Sequence, residues 1–258
     1  METLADLVAA GRSRDGPVIE APDRSAPYSY REFSTNTWKA GNLLRHYGVR
    51  RGATAAVVVG PKRPSATDEP GRLGAAADPL LAVFGAWTVG ATVDLAPAAP
   101  VEARALVAPA AWLDRYEAAP GCSRLAYGGP PEAADVAHFE RDLWSENPIE
   151  PPDAVEPGDT ALRIDGETAT QGALLAAGRA VADEFSLAAG DRVAVDAPLR
   201  TPEAVVAGVV APLVAGATIL PAGVGEADPV AVVTDDPDAD GRVIRPATAV
   251  DWSDTRRV

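Results

Sequence analysis

The chain has 258 residues, room for one large domain or two lobes at roughly 150 residues per domain. Hydrophobic residues make up 47%, which excludes a wholly disordered polypeptide, and 37 acids against 23 bases give a net charge of -14. A field of that sign repels phosphate backbones and excludes nucleic acid as a partner class. The lone Cys122 excludes an internal disulfide framework, and with only His46 and His138 beside it the composition argues against an all-Cys/His zinc site.

Only Lys39 and Lys62 are lysines; every other base is arginine. GC-rich coding explains the lysine shortage but not the acid excess. Together they point to a high-salt cytoplasm, where carboxylate surfaces hold water. Residues 1–16 carry charges throughout, so no secretory leader is expected and a cytoplasmic location is.

In chain order, Ser29-x-x-Glu32 predicts a capped helix running to about His46. Gly52 turns it into a strand, and residues 60–77, rich in Pro, Gly and charge, read as a loop. Asp78-Pro79 reads as an N-cap and first helical proline before the apolar helix Pro79–Val89, whose Trp87 is expected in the core. Gly90-Ala91-Thr92 opens the next strand. Val101–Val107 predicts a helix and a short strand, Trp112–Ala118 a helix, and Arg124–Tyr127 a strand.

Residues 128–159, with Pro130-Pro131, Pro148, Pro151-Pro152 and Pro157, read as a Pro-rich acidic linker. Ala161–Ile164 then opens a second lobe. Thr168-x-x-Gln171 predicts a second capped helix to about Ser186, followed by a turn at Gly190 and another strand. Thr201-Pro202 caps the next helix. The 22 uncharged positions Ala204–Gly225 could span a bilayer by length, but Gly208, Pro212, Gly216, Gly223 and Gly225 divide them. They read as a buried helix, a turn and a buried strand, with no membrane partner. Val230–Thr234 and Arg242–Ile244 are late strands, and 251–258 a tail.

These elements repeat. Gly52 aligns with Gly190 and Gly90-Ala91-Thr92 with Gly216-Ala217-Thr218, the first copy holding about twelve extra residues, supplied by 60–77. The shared unit is capped helix, Gly turn, strand, capped helix, Gly turn, strand. Strands joined by crossover helices pair in parallel. The expected fold is therefore α/β, two similar lobes with mainly parallel sheets flanked by helices. Residues 1–127 form the first lobe, 128–159 the linker, 160–250 the second lobe and 251–258 the tail.

Tyr28-Ser-Tyr-Arg-Glu-Phe33, Phe84-Gly-Ala-Trp-Thr-Val-Gly-Ala-Thr-Val93 and Ala211-Pro-Leu-Val-Ala-Gly-Ala-Thr218 resemble, in order and spacing, segments of the N-terminal region of adenylate-forming acyl-CoA synthetases. The resemblance covers most of residues 1–221. It implies that family's large domain, truncated, with a ligand cleft between the lobes. It also implies a Ser/Thr/Gly-rich phosphate loop ending in Pro-Lys-Gly after the strand at Ile164. Here that strand runs into Asp165-Gly-Glu-Thr-Ala-Thr-Gln171, with no lysine and two acids.

A backbone cradle and a lysine neutralise phosphate charge, which Asp165 and Glu167 would oppose. The family's aromatic-His pair is replaced by Arg200-Thr201, its adenine and magnesium segment has no counterpart, and its lid domain with the adenylation lysine lies beyond the sequence given. Arg163 and Arg200 are the only arginines placed near the expected strand ends, and both read first as surface ion pairs. The candidate ligand-cleft residues are Asp165, Gly166, Thr168, Thr170, Arg200 and Thr201, with no catalytic residue, metal ligand or cofactor assigned.

The expectation is a degenerate acyl-CoA synthetase-like protein that binds a small acyl or nucleotide-like ligand or pairs with an active synthetase. The alternatives are an AMP-forming ligase completed by a separate chain, and a structural or regulatory subunit without a ligand. Asp236-Pro-Asp-Ala-Asp-Gly241 resembles half a calcium loop but has Ala247 where a bidentate Glu is required, and reads as a solvated acidic turn. His46 reads as a helix-end histidine, His138 as part of an acidic linker, and Cys122 as an incidental thiol.

Overall fold

The structure is a computed structural model and describes residues 1–21, 24–221 and 229–250. The first third contains α1 (Leu4–Gly11), β1 (Pro17–Ile19), β2 (Tyr28–Ser29), α2 (Tyr30–His46), β3 (Thr54–Val57), α3 (Asp78–Trp87) and β4 (Thr92–Asp94). The middle holds β5 (Ala105–Pro109), a 3-10 helix (Ala110–Arg115), β6 (Ser123–Tyr127), β7 (Ala137–His138), α4 (Phe139–Ser145), β8 (Thr160–Ile164) and β9 (Glu167–Thr170). Then come α5 (Gln171–Glu184), β10 (Arg192–Val195), α6 (Pro202–Val205), a π-helical segment (Val206–Val210), α7 (Ala211–Ala215), β11 (Thr218–Pro221), β12 (Ala231–Val233), β13 (Val243–Ile244) and α8 (Pro246–Ala249).

The strands form two sheets, ordered β7-β6-β5-β3-β4-β8-β9 and β13-β12-β10-β11-β1-β2, with parallel pairing everywhere except the hairpins β1–β2 and β8–β9. The expected mixed α/β architecture is present. So is the repeat, to the level of single hydrogen bonds. Gly52 N–H donates to Gly90 C=O at 3.0 Å, and its counterpart Gly190 N–H donates to Gly216 C=O at 3.3 Å. All four glycines have φ between 69° and 90°, the left-handed region where a Cβ is disfavoured. Thr54 then pairs with Thr92 and Arg192 with Thr218.

Strand placement corrects the expected lobes. The strand at Ala161–Ile164 does not begin the second sheet: β8 pairs with β4 in the seven-stranded sheet, Val93 opposite Leu162. Reciprocally, β1 pairs with β11 in the six-stranded sheet, Ile19 opposite Ile219. Each repeat thus lends its opening hairpin to the sheet of the other. The 128–159 segment is likewise more than a linker. It contributes β7 to the first sheet and α4 to the fold, with Phe139 fully buried and Leu143 nearly so.

Four smaller expectations also change. Val101–Arg104 is not helical, Val101 instead making an isolated bridge to Ala118. The turn around Trp112 is a short 3-10 helix. Asp78 is the first residue of α3, not its cap; Ala77 holds that position without a side-chain hydrogen bond, and Pro79 keeps its early place. The cap of α5 is Thr170, whose hydroxyl accepts from Ala173 N–H at 3.2 Å, while Thr168 lies in β9 opposite Arg163.

Gln171 is consequently no capping-box partner. It is completely buried, accepts from Leu4 N–H at 3.0 Å and donates to Trp87 C=O at 3.2 Å, tying α1, α3 and α5 together. The π turn ahead of Pro212 fits the missing N–H of that proline, since Ala211 N–H reaches back to Val206 C=O. Pro221 closes the last strand of the apolar run; Gly223 and Gly225, like the 251–258 tail, lie outside the described residues.

One core cluster runs from Phe33, Phe84 and Trp87 through Leu162 and Leu174 to Val206 and Ile219. Trp87, expected there, is fully buried and donates its indole N–H to Ala161 C=O at 2.7 Å. A second cluster covers the other face of the seven-stranded sheet. Successive residues of the β3 run divide between them, Ala55 and Val57 facing one core and Ala56 and Val58 the other, as the strand period requires. With both faces covered, the strands read as unbroken apolar runs. Among the described residues no helix is long and apolar enough to cross a membrane.

Candidate ligand cleft

In open α/β sheets, ligands enter at the carboxyl ends of the strands, where neighbouring connections leave in opposite directions. In the first sheet that place lies between β3 and β5, and in the second between β10 and β12. The first crevice is occupied by the protein. Gly60 packs directly on the Trp112 ring, and the buried Tyr127 hydroxyl donates to Val58 C=O at 2.9 Å and lies 3.1 Å from Gly60 C=O. At the second, Asp196 and Ala197 N–H both reach Val233 C=O at 2.9 Å, and the Thr234 hydroxyl lies 3.3 Å from Asp196 Oδ2.

The expected phosphate-loop position is the turn between β8 and β9. Ile164 pairs with Glu167, so only Asp165 and Gly166 separate the strands. Their φ values of 49° and 87° match a two-residue type I′ hairpin turn, the conformation that Asp-Gly favours. A turn this tight has no free run of amides to wrap an anion. Asp165, Gly166, Glu167 and Thr168 are all exposed, and Arg163 is held by Asp94 on the neighbouring strand at 2.8 Å. Arg163 is therefore the ion pair the sequence suggested.

The six candidate residues fall into two groups. Asp165, Gly166, Thr168 and Thr170 belong to the hairpin, with Thr170 engaged as a cap. Arg200 and Thr201 follow β10, and Thr201 caps α6 by accepting from Ala204 N–H at 3.1 Å. Helix α6 packs on both strands of the hairpin, which brings the groups to one side of the molecule. Arg200 lies where the lobes meet: a Cβ at Gly71 of the first repeat would come 2.5 Å from its Cγ, and its charge acts on Tyr116, also of that repeat.

Open grooves also occur at the opposite, amino ends of the strands. One of about 730 Å³ is bordered by Arg50, Arg51 and Arg104; none of the six candidates lines it.

Sequence reasoning missed a buried polar cluster at the carboxyl end of the first sheet. The Asp78 side chain is 7% exposed, and its carboxyl lies 3.3 Å from Lys62 Nζ. Burial pushes its pKa up to about 6, Lys62 opposing the shift and Glu140 adding to it. Glu140 accepts from Gly128 N–H at 2.7 Å and lies 3.3 Å from His138 Nε2. The sequence did offer one signal, because Lys62 is one of only two lysines and sits in the inserted loop.

His46 lies 3.1 Å from Glu146, and burial raises the Cys122 thiol pKa, the opposite of activation. Asp236 Oδ1 accepts from Asp238 N–H at 2.9 Å, the contact of a self-closed turn. Among the described residues no cluster of three or more His, Cys, Asp or Glu could hold a metal.

No protein-family profile matches the chain, and no curated protein matches it in sequence. Solved structures do match. The anthranilate CoA ligase AuaEII, in complex with anthranoyl-AMP, superposes with a TM-score of 0.72 at 14% identity, over 90% of this chain and 49% of that one. A benzoate CoA ligase from Burkholderia xenovorans gives 0.70 at 19%, over 90% of this chain and 50% of that one. The N-terminal domain of FACL13 from Mycobacterium tuberculosis gives 0.65 at 15%, over 85% and 57%. This chain spans about half the length of the ligases it matches. It has the fold of the large domain of adenylate-forming acyl- and aryl-CoA ligases, over their amino-terminal part.

Proposed function

We propose that this chain is an acyl-CoA synthetase-like module that binds or interacts instead of adenylating. The observation that carries this reading is the Asp165-Gly166 hairpin. Adenylate formation needs the triphosphate gripped and the departing charge stabilised. At this position the chain offers a two-residue turn with a carboxylate in it and another beside it. The cleft with Arg200 and Thr201 at its edge would take a small acyl or nucleotide-like ligand, and an active synthetase is the proposed protein partner. The acid excess supports, in this reading, a high-salt cytoplasm.

Calorimetry with magnesium-ATP, with pyrophosphate release followed across a panel of carboxylic acids, tests the proposal. We expect no pyrophosphate release with any of the acids. Micromolar ATP binding with pyrophosphate release would overturn it.

A second reading is supported by the structural match to CoA ligases: an AMP-forming ligase that works with a separate chain. Purification from the native organism at its own salt concentration separates the two. A co-purifying chain that restores acyl-CoA formation would favour the second.

A further inference from the structure

The connections that follow β3 and β10 occupy equivalent places in the two repeats, yet they differ in length. The second runs directly from Val195 to the cap at Thr201, whereas the first, residues 58–77, makes a long excursion before α3. The excursion crosses to the other sheet and lands on its own counterpart. Leu199 N–H donates to Gly71 C=O at 2.8 Å. Arg72 Nη1 donates to Asp196 C=O at 2.6 Å and to Asp196 Oδ1 at 2.9 Å. Gly71, at φ +103°, lies beneath Arg200 and Pro198 with no room for a Cβ.

The two parts of this loop are held differently. Its base is fixed: Gly60 sits on Trp112, Leu73 is 1% exposed, and Lys62 pairs with buried Asp78. Its tip, around residues 63–69, is mostly exposed and closed on itself, Asp68 Oδ2 accepting from Ser65 N–H at 2.6 Å. At Gly71 and Arg72 the cross-sheet contacts are a backbone hydrogen bond, a hydrogen bond from Arg72 to the Asp196 carbonyl, and an ion pair whose side chains are 53% and 49% exposed, the last a kind of pair that salt screens.

We propose that residues 58–77 form a releasable strap, anchored in the first sheet and clipped to the second through Gly71 and Arg72, which fixes the two lobes at the mouth of the cleft. Release leaves both sheets intact and frees the Asp196 carbonyl, its Oδ1 and the Leu199 N–H at the carboxyl end of β10, while Asp196 and Ala197 N–H stay bonded to Val233. A ligand or partner entering beside Arg200 then competes with the strap for that edge. This regulatory role rests on the proposed cleft; the clip itself does not.

Hydrogen exchange on the 258-residue chain tests it without any ligand, so its outcome is independent of the ATP experiment. Within the segment 196–201, Arg72→Ala is expected to speed exchange about tenfold at the Leu199 amide, which donates to the strap, while leaving the Val233-bonded amides of Asp196 and Ala197, and β10 and β11, as slow as in the parent. Asp196→Ala keeps the carbonyl that Arg72 also bonds, so it should give a smaller acceleration at the same amide, and the double variant should be no faster than Arg72→Ala alone. Should the variants fail to fold, raised salt on the unaltered protein must accelerate the Leu199 amide selectively. Unchanged exchange at Leu199, or equal acceleration throughout the six-stranded sheet, would overturn the proposal.

Discussion

Two threonines two positions apart separate what spacing shows from what only pairing shows. Thr168 and Thr170 both precede the same helix, and the S/T-x-x-Q pattern selects the first. The antiparallel pairing of Thr168 with Arg163 puts it in a strand, and Thr170 does the capping. Thr170→Ala should therefore cost about 1 kcal/mol in chemical denaturation, and Thr168→Ala less than about 0.5 kcal/mol. The reverse order would restore the sequence-based cap.

Asp78 makes a pH-dependent prediction. Its folded pKa, raised by burial to about 6 from an ordinary 3.8, means the fold holds this proton more tightly than the unfolded chain does. Its stabilising share is complete below the unfolded value and is lost as pH rises through about 6. Measured against Asp78→Asn, the parent should lose on the order of 2 kcal/mol between about pH 4 and about pH 7. A constant difference across that range would sink the assignment. Neither the burial of Asp78 nor the clamp at Gln171 has a local signature, because both arise from contacts between segments far apart in the chain.

Elements were more legible than single residues. The Ser29 capping box, glycine turns, apolar runs and the Thr201-Pro202 cap placed α2, β3, β4, α5, β10, the start of α6 and β11 within a residue or two, since each rests on local backbone preference. Short elements escaped: β7, β9 and α4 are two, four and seven residues long and carry too little periodicity to stand out.

Helix packing also follows from residue choice once the contact is known. Gly85 in α3 faces α2 so closely that a Cβ would lie 2.7 Å from Ala40 Cβ and 2.8 Å from Gly41 N. Gly85→Ala should lower stability by about 2 kcal/mol although alanine is the better helix former. Thermal and urea unfolding of that variant would check it, and a gain in stability would mean the helices can separate at little cost.

At the scale of the whole molecule, the resemblance led the sequence to expect a phosphate loop after Ile164, and the structure has a two-residue hairpin turn there. The strap was legible only as extra length, because nothing in residues 60–77 says where the loop lands. Charge belongs to this scale too. With a net charge of -14, self-repulsion opposes compactness until counterions screen it. Raising KCl from about 0.1 M to about 2 M should raise the melting temperature by several degrees. A flat or falling response would remove the argument for a high-salt setting.

The exchanged hairpins have a consequence for synthesis. During translation, β1 and β2 leave the ribosome long before β10 and β11, the strands that give them a sheet, have been made. The first repeat, for its part, waits for β8 before its own sheet is closed on that side. Neither repeat is a finished unit when it emerges, and cutting the polypeptide between them would give two fragments, each carrying a strand pair that belongs to the other. Such fragments should recover native structure only when mixed, like two hands that interlock and cannot clasp alone.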